Sequence, residues 1–254
     1  MLTSVRGLLA ATVLAGSVFA VAAPAAAQDI ELSGNAAVVS EYRFRGVDYS
    51  GGDIAIQGGI DASFGGFYVG TWGSSLDEDT VGYGHTELDV YAGYTGSAGI
   101  ITYDVGVLAY LYPNAGPGDF DYIEPYASIG ATVGPADVTL GVAYAPEQDS
   151  LGGNDNLYIY TDVGVGIPNT PVSISGHLGY TDGQFLTYTS DGKAFDWSLG
   201  ASVALGSTVS VGVSYVGAEG DPSTLDDNGT PTTADDFIYD FVDDAVVVTL
   251  SASF

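Results

Sequence analysis

The sequence predicts an all-β fold: a closed antiparallel transmembrane β-barrel of about twelve strands, with short turns at one end and long acidic loops at the other. Three observations lead there. Side-chain character alternates with a period of two along much of the chain, whereas helical periodicity is almost absent. The connections between the alternating segments are short and long by turns. Acids within those segments fall on the face opposite the apolar residues.

From the N-terminus, residues 1–27 read as a cleaved secretory signal peptide. Arg6 supplies a basic start, Leu8 to Ala22 an apolar stretch, and Ala25-Ala26-Ala27 a small-residue cleavage site. Residues 28–254 then form one outer-membrane β-barrel domain, with no Pro- or Ser-rich linker to divide it. Beyond the leader, no apolar run approaches the roughly 18 residues that a spanning helix needs.

Strands are expected around Val39, Gly59, Val69, Val90, Val107, Ile129, Leu140, Val163, Ile174, Ala201, Val211 and Leu250. The last is the cleanest: Val246, Val248, Leu250, Ala252 and Phe254 share one face, and Val247, Thr249, Ser251 and Ser253 the other. Around Gly59, Ile54, Ile56, Ile60, Ala62 and Phe64 oppose Gln57, Asp61 and Ser63. Such lengths suit the ~9–11 residues of a tilted membrane-spanning strand. Tight turns fall at Gly65-Gly66, Gly96 to Gly99, Gly134-Pro135, Pro168 to Thr170 and Leu205 to Ser207. Longer polar connections run over Gly46 to Asp53, Ser74 to Gly84, Pro113 to Asp121, Ala145 to Asp155, Thr181 to Ala194 and Val216 to Asp244. Brief periplasmic turns and extended outer loops distinguish a membrane barrel from a β-sandwich. Outward-phase aromatics gather at both strand ends, as headgroup-level anchoring produces. On the loop side these are Phe44, Tyr144, Tyr180, Trp197 and Tyr215; on the turn side, Phe64, Phe67, Tyr94, Tyr103 and Phe254. Phe254, ending an alternating strand, also has the look of the terminal signal that barrel-assembly machinery reads.

The chain carries 32 acids against 4 basic residues, a formal net charge of −28. That balance excludes nucleic acid, whose phosphates demand Lys and Arg, and recruitment by anionic headgroups. The absence of cysteine removes disulfides and thiolate metal sites. Most acids sit in the long loops. Those within strands are Glu41, Asp61, Glu87, Asp89, Asp104, Glu124, Asp137, Asp162 and Asp196, and all are expected to face the lumen.

The stretch SEYRFRG places Arg43 and Arg45 on the same inner face, with Ala36, Val38, Tyr42 and Phe44 toward lipid. Two such arginines lie ~7 Å apart and repel by roughly 2 kcal/mol at an effective dielectric of 20. Carboxylate partners make them tolerable, and Glu87 and Asp89 are candidates. The cluster is either a charged constriction that sets ion preference or an ion network that braces a narrow barrel. Inward Tyr110, Tyr126, Tyr158 and Tyr160 would narrow the lumen further.

Elsewhere the signals for chemistry are thin. In Leu225 to Asp236, the residues Asp226, Asn228 and Asp235 are weak calcium candidates, because Thr224 replaces the first acidic ligand. His85 and His177 lie in separate strands without a positioned nucleophile, so neither an enzyme nor a cofactor is expected.

The runs SEYRFRG, AIQGGIDASFGGFYVGTWGSS (Ala55 to Ser75) and ELDVYAGY (Glu87 to Tyr94) resemble the TorF-family porins, also catalogued as the Gcw-chp conserved hypothetical proteins of proteobacteria. YDVGVLAYLYPN (Tyr103 to Asn114) and DYIEPYAS (Asp121 to Ser128) are similar to that family as well. The chain departs from it at Asp48-Tyr49-Ser50 and Ile54, within the first outer loop, and in the short turn Gly65-Gly66. The resemblance implies an outer-membrane barrel with a transport role.

These readings converge on a passive channel for small hydrophilic solutes or ions, cation-preferring on its charge count. Its expected partners are outer-membrane lipid, lipopolysaccharide, the barrel-assembly machinery and the solutes themselves. A non-conducting structural or surface-interaction barrel and a secreted soluble acidic β-protein are the alternatives.

Overall fold

The computed structural model describes residues 30–184, 189–222 and 243–254. In chain order the elements begin with β1 (Glu31–Val39), β2 (Arg43–Phe44), β3 (Val47–Asp48), β4 (Ala55–Phe64) and β5 (Phe67–Ser75). A one-turn helix α1 (Glu78–Val81) precedes β6 (Thr86–Ala98), β7 (Ile101–Leu111), β8 (Tyr122–Val133) and β9 (Ala136–Gln148). After a 3-10 turn at Asp149–Leu151 come β10 (Asn154–Gly166), β11 (Val172–Asp182), β12 (Thr189–Leu205), β13 (Val209–Pro222) and β14 (Ala245–Ser253). All but β2 and β3 pair antiparallel with their neighbours into a closed twelve-stranded barrel. Closure is made by β1, which aligns Val38 with Leu250 of β14 and with Ile56 of β4. The terminal residue takes part: Phe254 and Gly34 exchange backbone hydrogen bonds of 2.8 and 3.0 Å. A closed wall leaves no strand edge exposed, the condition for a sheet to sit in lipid.

The period-two pattern sorts the side chains. Ile56, Ile60, Leu140, Leu178, Leu199, Val246 and Leu250 all project outward, with Ile60 and Leu199 each 62% exposed. Gln57, Ser74, Glu87, Asp89, Asp104, Glu124, Ser128, Thr139 and Asp196 are buried inside. An apolar exterior wrapped around a polar interior inverts the arrangement of a water-soluble domain. Phe44 apart, the aromatic ends follow expectation. At the turn end Phe67 packs on Tyr94, which stacks on Tyr103; at the loop end Tyr180 meets Phe195 and Trp197 meets Tyr215. The β4–β5 turn uses Gly65 and Gly66, both at positive φ, as two-residue hairpins require.

Three expectations are corrected. The strand placed around Val39 ends there, and the chain turns inward instead of continuing along the wall. Tyr42 and Phe44 therefore do not face lipid: they are 1% and 5% exposed inside the barrel. The alternation of SEYRFRG belongs to the small β2–β3 hairpin, with Arg43 opposite Asp48 and Phe44 opposite Val47. Its turn residues Arg45 (φ 49) and Gly46 (φ 81) both have the positive φ of a type I′ turn. A two-residue repeat looks the same in a wall strand and in a hairpin, so periodicity could not separate them. The other two corrections concern outer connections. β9 and β10 extend through most of Ala145 to Asp155, and β12 and β13 reach Thr189 and Pro222. Polar, Gly-rich segments of weak strand propensity are carried into the sheet by a paired neighbour. The leader (1–27) and the calcium candidates Asp226, Asn228 and Asp235 lie outside the described residues.

Gly46 offers a direct test of the inward hairpin. A Cβ there would sit 2.6 Å from Ala218 Cβ and 3.2 Å from Asp196 Cβ. Gly46→Ala is expected to lower stability by more than the ~1–2 kcal/mol of a left-handed alanine, because the hairpin must also shift. Gly52→Ala, at φ 73 with nothing within 4 Å, should cost only the backbone strain. Urea midpoints of the two variants in detergent micelles compare them.

Candidate functional site

The lumen is occupied by the segment from Ser40 to Asp53. Its departure from the wall is pinned where Ser40 N donates to Val248 O at 2.8 Å and Val248 N donates to Ser40 Oγ at 2.9 Å. Asp48 then organises the loop from within. Its carboxylate accepts from Ser50 N at 2.8 Å and Gly52 N at 2.6 Å, an Asx-type turn. Ser50 Oγ accepts from Tyr42 N at 2.8 Å, and Tyr42 O accepts from Tyr49 N at 2.8 Å. The loop is therefore a folded unit before it meets the wall.

One side of it is packed hard against β5, β6, β7 and β8. The Tyr42 hydroxyl donates to Glu87 Oε1 at 2.6 Å, and Tyr112 donates to the other oxygen of Glu87 at 3.1 Å. Tyr42 lies edge-on to Trp72 with ring centroids 5.7 Å apart, and Phe44 edge-on to Tyr110 at 5.8 Å. Arg45 forms an ion pair with Glu124 at 2.7 Å, and Tyr110 donates to the same Glu124 oxygen at 3.2 Å. Its guanidinium is held between two rings, 4.8 Å above Phe44 and 4.1 Å from Tyr158 of β10. Burial by itself would lower the Arg45 guanidinium, yet the Glu124 carboxylate holds it above its ordinary value. Arg43 pairs with Glu41 and donates to Gly46 O at 3.1 Å. Burial pushes the Glu41 carboxyl up, against the pull of Arg43 beside it.

The arginine partners are thus Glu41 and Glu124, not Glu87 and Asp89. Glu87 and Asp89, each 1% exposed, lie behind the hairpin, where Glu87 serves tyrosine hydroxyls. The reason is register: the β2–β3 turn carries Arg45 across to β8, a displacement that no in-wall strand would make.

The remaining predicted acids also lie on the inner face, Asp196 beside the hairpin and the others at other levels. Asp61 accepts from Tyr91 at 2.5 Å, and Asp104 from Tyr68 at 2.6 Å, with Tyr68 and Tyr126 hydroxyls 2.5 Å apart. Asp137 is exposed toward the turn end and accepts from Thr132 at 2.6 Å. Asp162 and Asp196 converge on His177. Its Nδ1 is 2.6 Å from Asp162 Oδ1, and its Nε2 is 2.9 Å from Asp196 Oδ1 and 2.8 Å from the Tyr158 hydroxyl. With a carboxylate at each ring nitrogen, the imidazolium is the form that donates to both.

Two contributors escaped the sequence reading. His177 showed only alternation, and its role depends on lying opposite Asp162 in β10 and one strand from Asp196. Asp48 looked like one more loop acid, although Asp48-x-Ser50 is itself an Asx-turn signal. Four predicted inward tyrosines are where expected. Tyr110 and Tyr158 are buried, and Tyr126 and Tyr160 partly so. At the loop end, a basin of about 590 Å³ opens between residues 112–121 and 147–150, its rim bearing Asp119, Asp121, Glu147 and Asp149.

A family model described as "Bacterial protein of unknown function (Gcw_chp)" matches residues 23–254. The chain belongs to the Gcw_chp family. The match spans both the barrel and its inward hairpin. Among curated proteins no sequence matches the chain. Among solved structures it is similar to a KdgM porin, with TM-score 0.54 and 10% identity over 87% of this chain and 98% of that one. It is also similar to a membrane protein from a study of in-meso crystallization, with TM-score 0.51 and 8% identity over 87% and 83% of the two chains. At such identities the likeness establishes a porin-like barrel as the fold.

Proposed function

We propose that this protein is an outer-membrane channel for passive diffusion of small hydrophilic solutes or ions, with a preference for cations that rests on the excess of acids in its lumen; the family resemblance adds only an outer-membrane barrel with a transport role. The observation that carries the reading is an apolar exterior on a closed barrel whose interior is lined by carboxyl and hydroxyl groups. Such a wall is sealed toward lipid and wet within. Twelve strands enclose a lumen between side-chain-filled barrels of eight strands and water-filled porins of about 16. Asp61, Asp104, Asp137 and Asp162 below the hairpin, and the acidic basin above it, outnumber Arg43 and Arg45. The leader at residues 1–27 would direct export, Phe254 would serve barrel assembly, and the acidic loops would face lipopolysaccharide.

The test is conductance of the refolded protein in a planar bilayer under a KCl gradient. Discrete steps whose reversal potential favours potassium are expected. Chloride preference would overturn the cation assignment, and silence from demonstrably folded protein would overturn the channel itself. One observation favours a second reading, a non-conducting structural barrel: the hairpin touches opposite walls, Glu124 and Glu87 on one side and Ala218 on the other. A soluble acidic β-protein is hard to reconcile with Ile60, Leu199 and Val246 turned outward all round the sheet.

A further inference from the structure

The two sides of the inward hairpin are not equivalent. Toward β5–β8, Tyr42, Phe44, Val47 and Tyr49 are each 5% exposed or less, and Tyr42, Phe44 and Tyr49 meet Trp72, Tyr110 and Tyr83 ring to ring. Glu87 and Asp89 are sealed behind them at 1% exposure, so these acids face no open path at this level. Toward β11–β14 and β1 the backbone packs closely at Gly46, against Ala218 and Asp196, but the side chains beside that contact leave a gap. There a cavity of about 40 Å³ separates the hairpin from the wall, room for a few waters. Glu41, Arg43 and Arg45 line it from the hairpin; His177, Asp196, Ser198 and Thr249 line it from the strands.

This seam therefore gathers the two arginines and the doubly hydrogen-bonded histidine, together with two carboxylates and two hydroxyls. Groups of both signs at ion-contact range can replace part of a hydration shell. Every charged group here already has a partner: Arg43 with Glu41, Arg45 with Glu124, His177 with Asp162 and Asp196. Its walls are thereby fixed in position.

We propose that the permeation path crosses the hairpin level through this seam, and that Glu41, Arg43, Arg45, His177 and Asp196 form its filter for water and small, partly dehydrated ions. The proposal rests on the channel reading and places its narrowest point. Size is selected at the seam, while the acids above and below it set the preferred sign.

The chain has no cysteine, so single cysteines can report the path without background. Ser198→Cys and Thr249→Cys line the seam; Ser74→Cys lies on the inner face of β5 behind the hairpin, 3% exposed. Each is reconstituted in a planar bilayer in nitrate medium and exposed to silver ion, which binds thiolate tightly and is close to potassium in size. Loss of most of the conductance in Ser198→Cys and Thr249→Cys, with Ser74→Cys and the wild type unchanged, is the expected result. Block at Ser74→Cys alone would move the path to the β5–β8 side and overturn the proposal. Conducting variants that silver leaves untouched would overturn it as well. A wild-type protein that never conducts removes the channel reading itself, which sets that failure apart from the other two. If one seam variant fails to refold, the other still decides.

Discussion

Replacing Glu41–Ser50 by a short Gly-Ser linker is expected to raise single-channel conductance several-fold while the barrel stays folded. The wall does not need the hairpin: β1 still pairs with β4 through Val39↔Ala55 and with β14 through Val39↔Thr249. What is lost is the unit that fills the lumen between Glu124, Tyr158 and Ala218. Conductance scales with the open cross-section, and a twelve-stranded barrel cleared of its plug approaches the regime of water-filled porins. The same deletion should weaken size discrimination and strengthen cation preference: Arg43 and Arg45 leave together with Glu41 and Asp48, so the loop's own charge cancels, while Glu87, Asp89 and Glu124 become exposed. Single-channel recordings in KCl, with and without a larger organic cation, measure both effects. Unchanged conductance would mean that the hairpin does not occupy the path.

The second large effect is at Arg45. Arg45→Ala leaves Glu124, whose side chain is 4% exposed, without its ionic partner. Stranding one half of a buried pair costs about 3–5 kcal/mol, and Tyr110 alone offers Glu124 a single hydrogen bond of 3.2 Å. The two rings that flank the guanidinium, Phe44 and Tyr158, also lose what they pack on. The double variant Arg45→Met with Glu124→Gln is expected to recover most of the loss, since replacing both ions removes the unpaired charge. The chain supplies its own reporter. Of the two tryptophans, Trp72 lies against Tyr42 of the hairpin, so a Trp197→Phe background isolates it. Urea titrations followed by Trp72 fluorescence should show the hairpin leaving earlier in Arg45→Ala than in the double variant. Equal midpoints for the wild type and Arg45→Ala would show that the ion pair does not hold the hairpin.

Much of the barrel could be read before any coordinates, and particular residues show why. Ile56, Ile60, Val246 and Leu250 alternate with Gln57, Asp61, Val247 and Ser251 because each strand meets lipid on one side and the lumen on the other. The turns at Gly65-Gly66 and Gly134-Pro135 carry their own punctuation. Both signals are local, and local signals survive in a sequence. SEYRFRG failed for the same reason. Its alternation is genuine, but it serves the β2–β3 hairpin, whose position depends on where β1 stops.

The pairing of the charges had no such signature. Arg45 reaches Glu124 79 residues away, and His177 bridges Asp162 and Asp196 across three strands. Glu87 and Asp89 were the candidates on paper, and nothing local in the sequence marked Glu124 as the better partner. Composition and period, set by the solvent each face meets, determined from the sequence alone that this chain closes into an acidic, polar-lined barrel. Which carboxylate neutralises which arginine, and that the first outer loop fills the lumen instead of lengthening the wall, was decided by tertiary structure. Strand register and the inward turn at Ser40 bring together groups whose attraction acts only over a few ångströms.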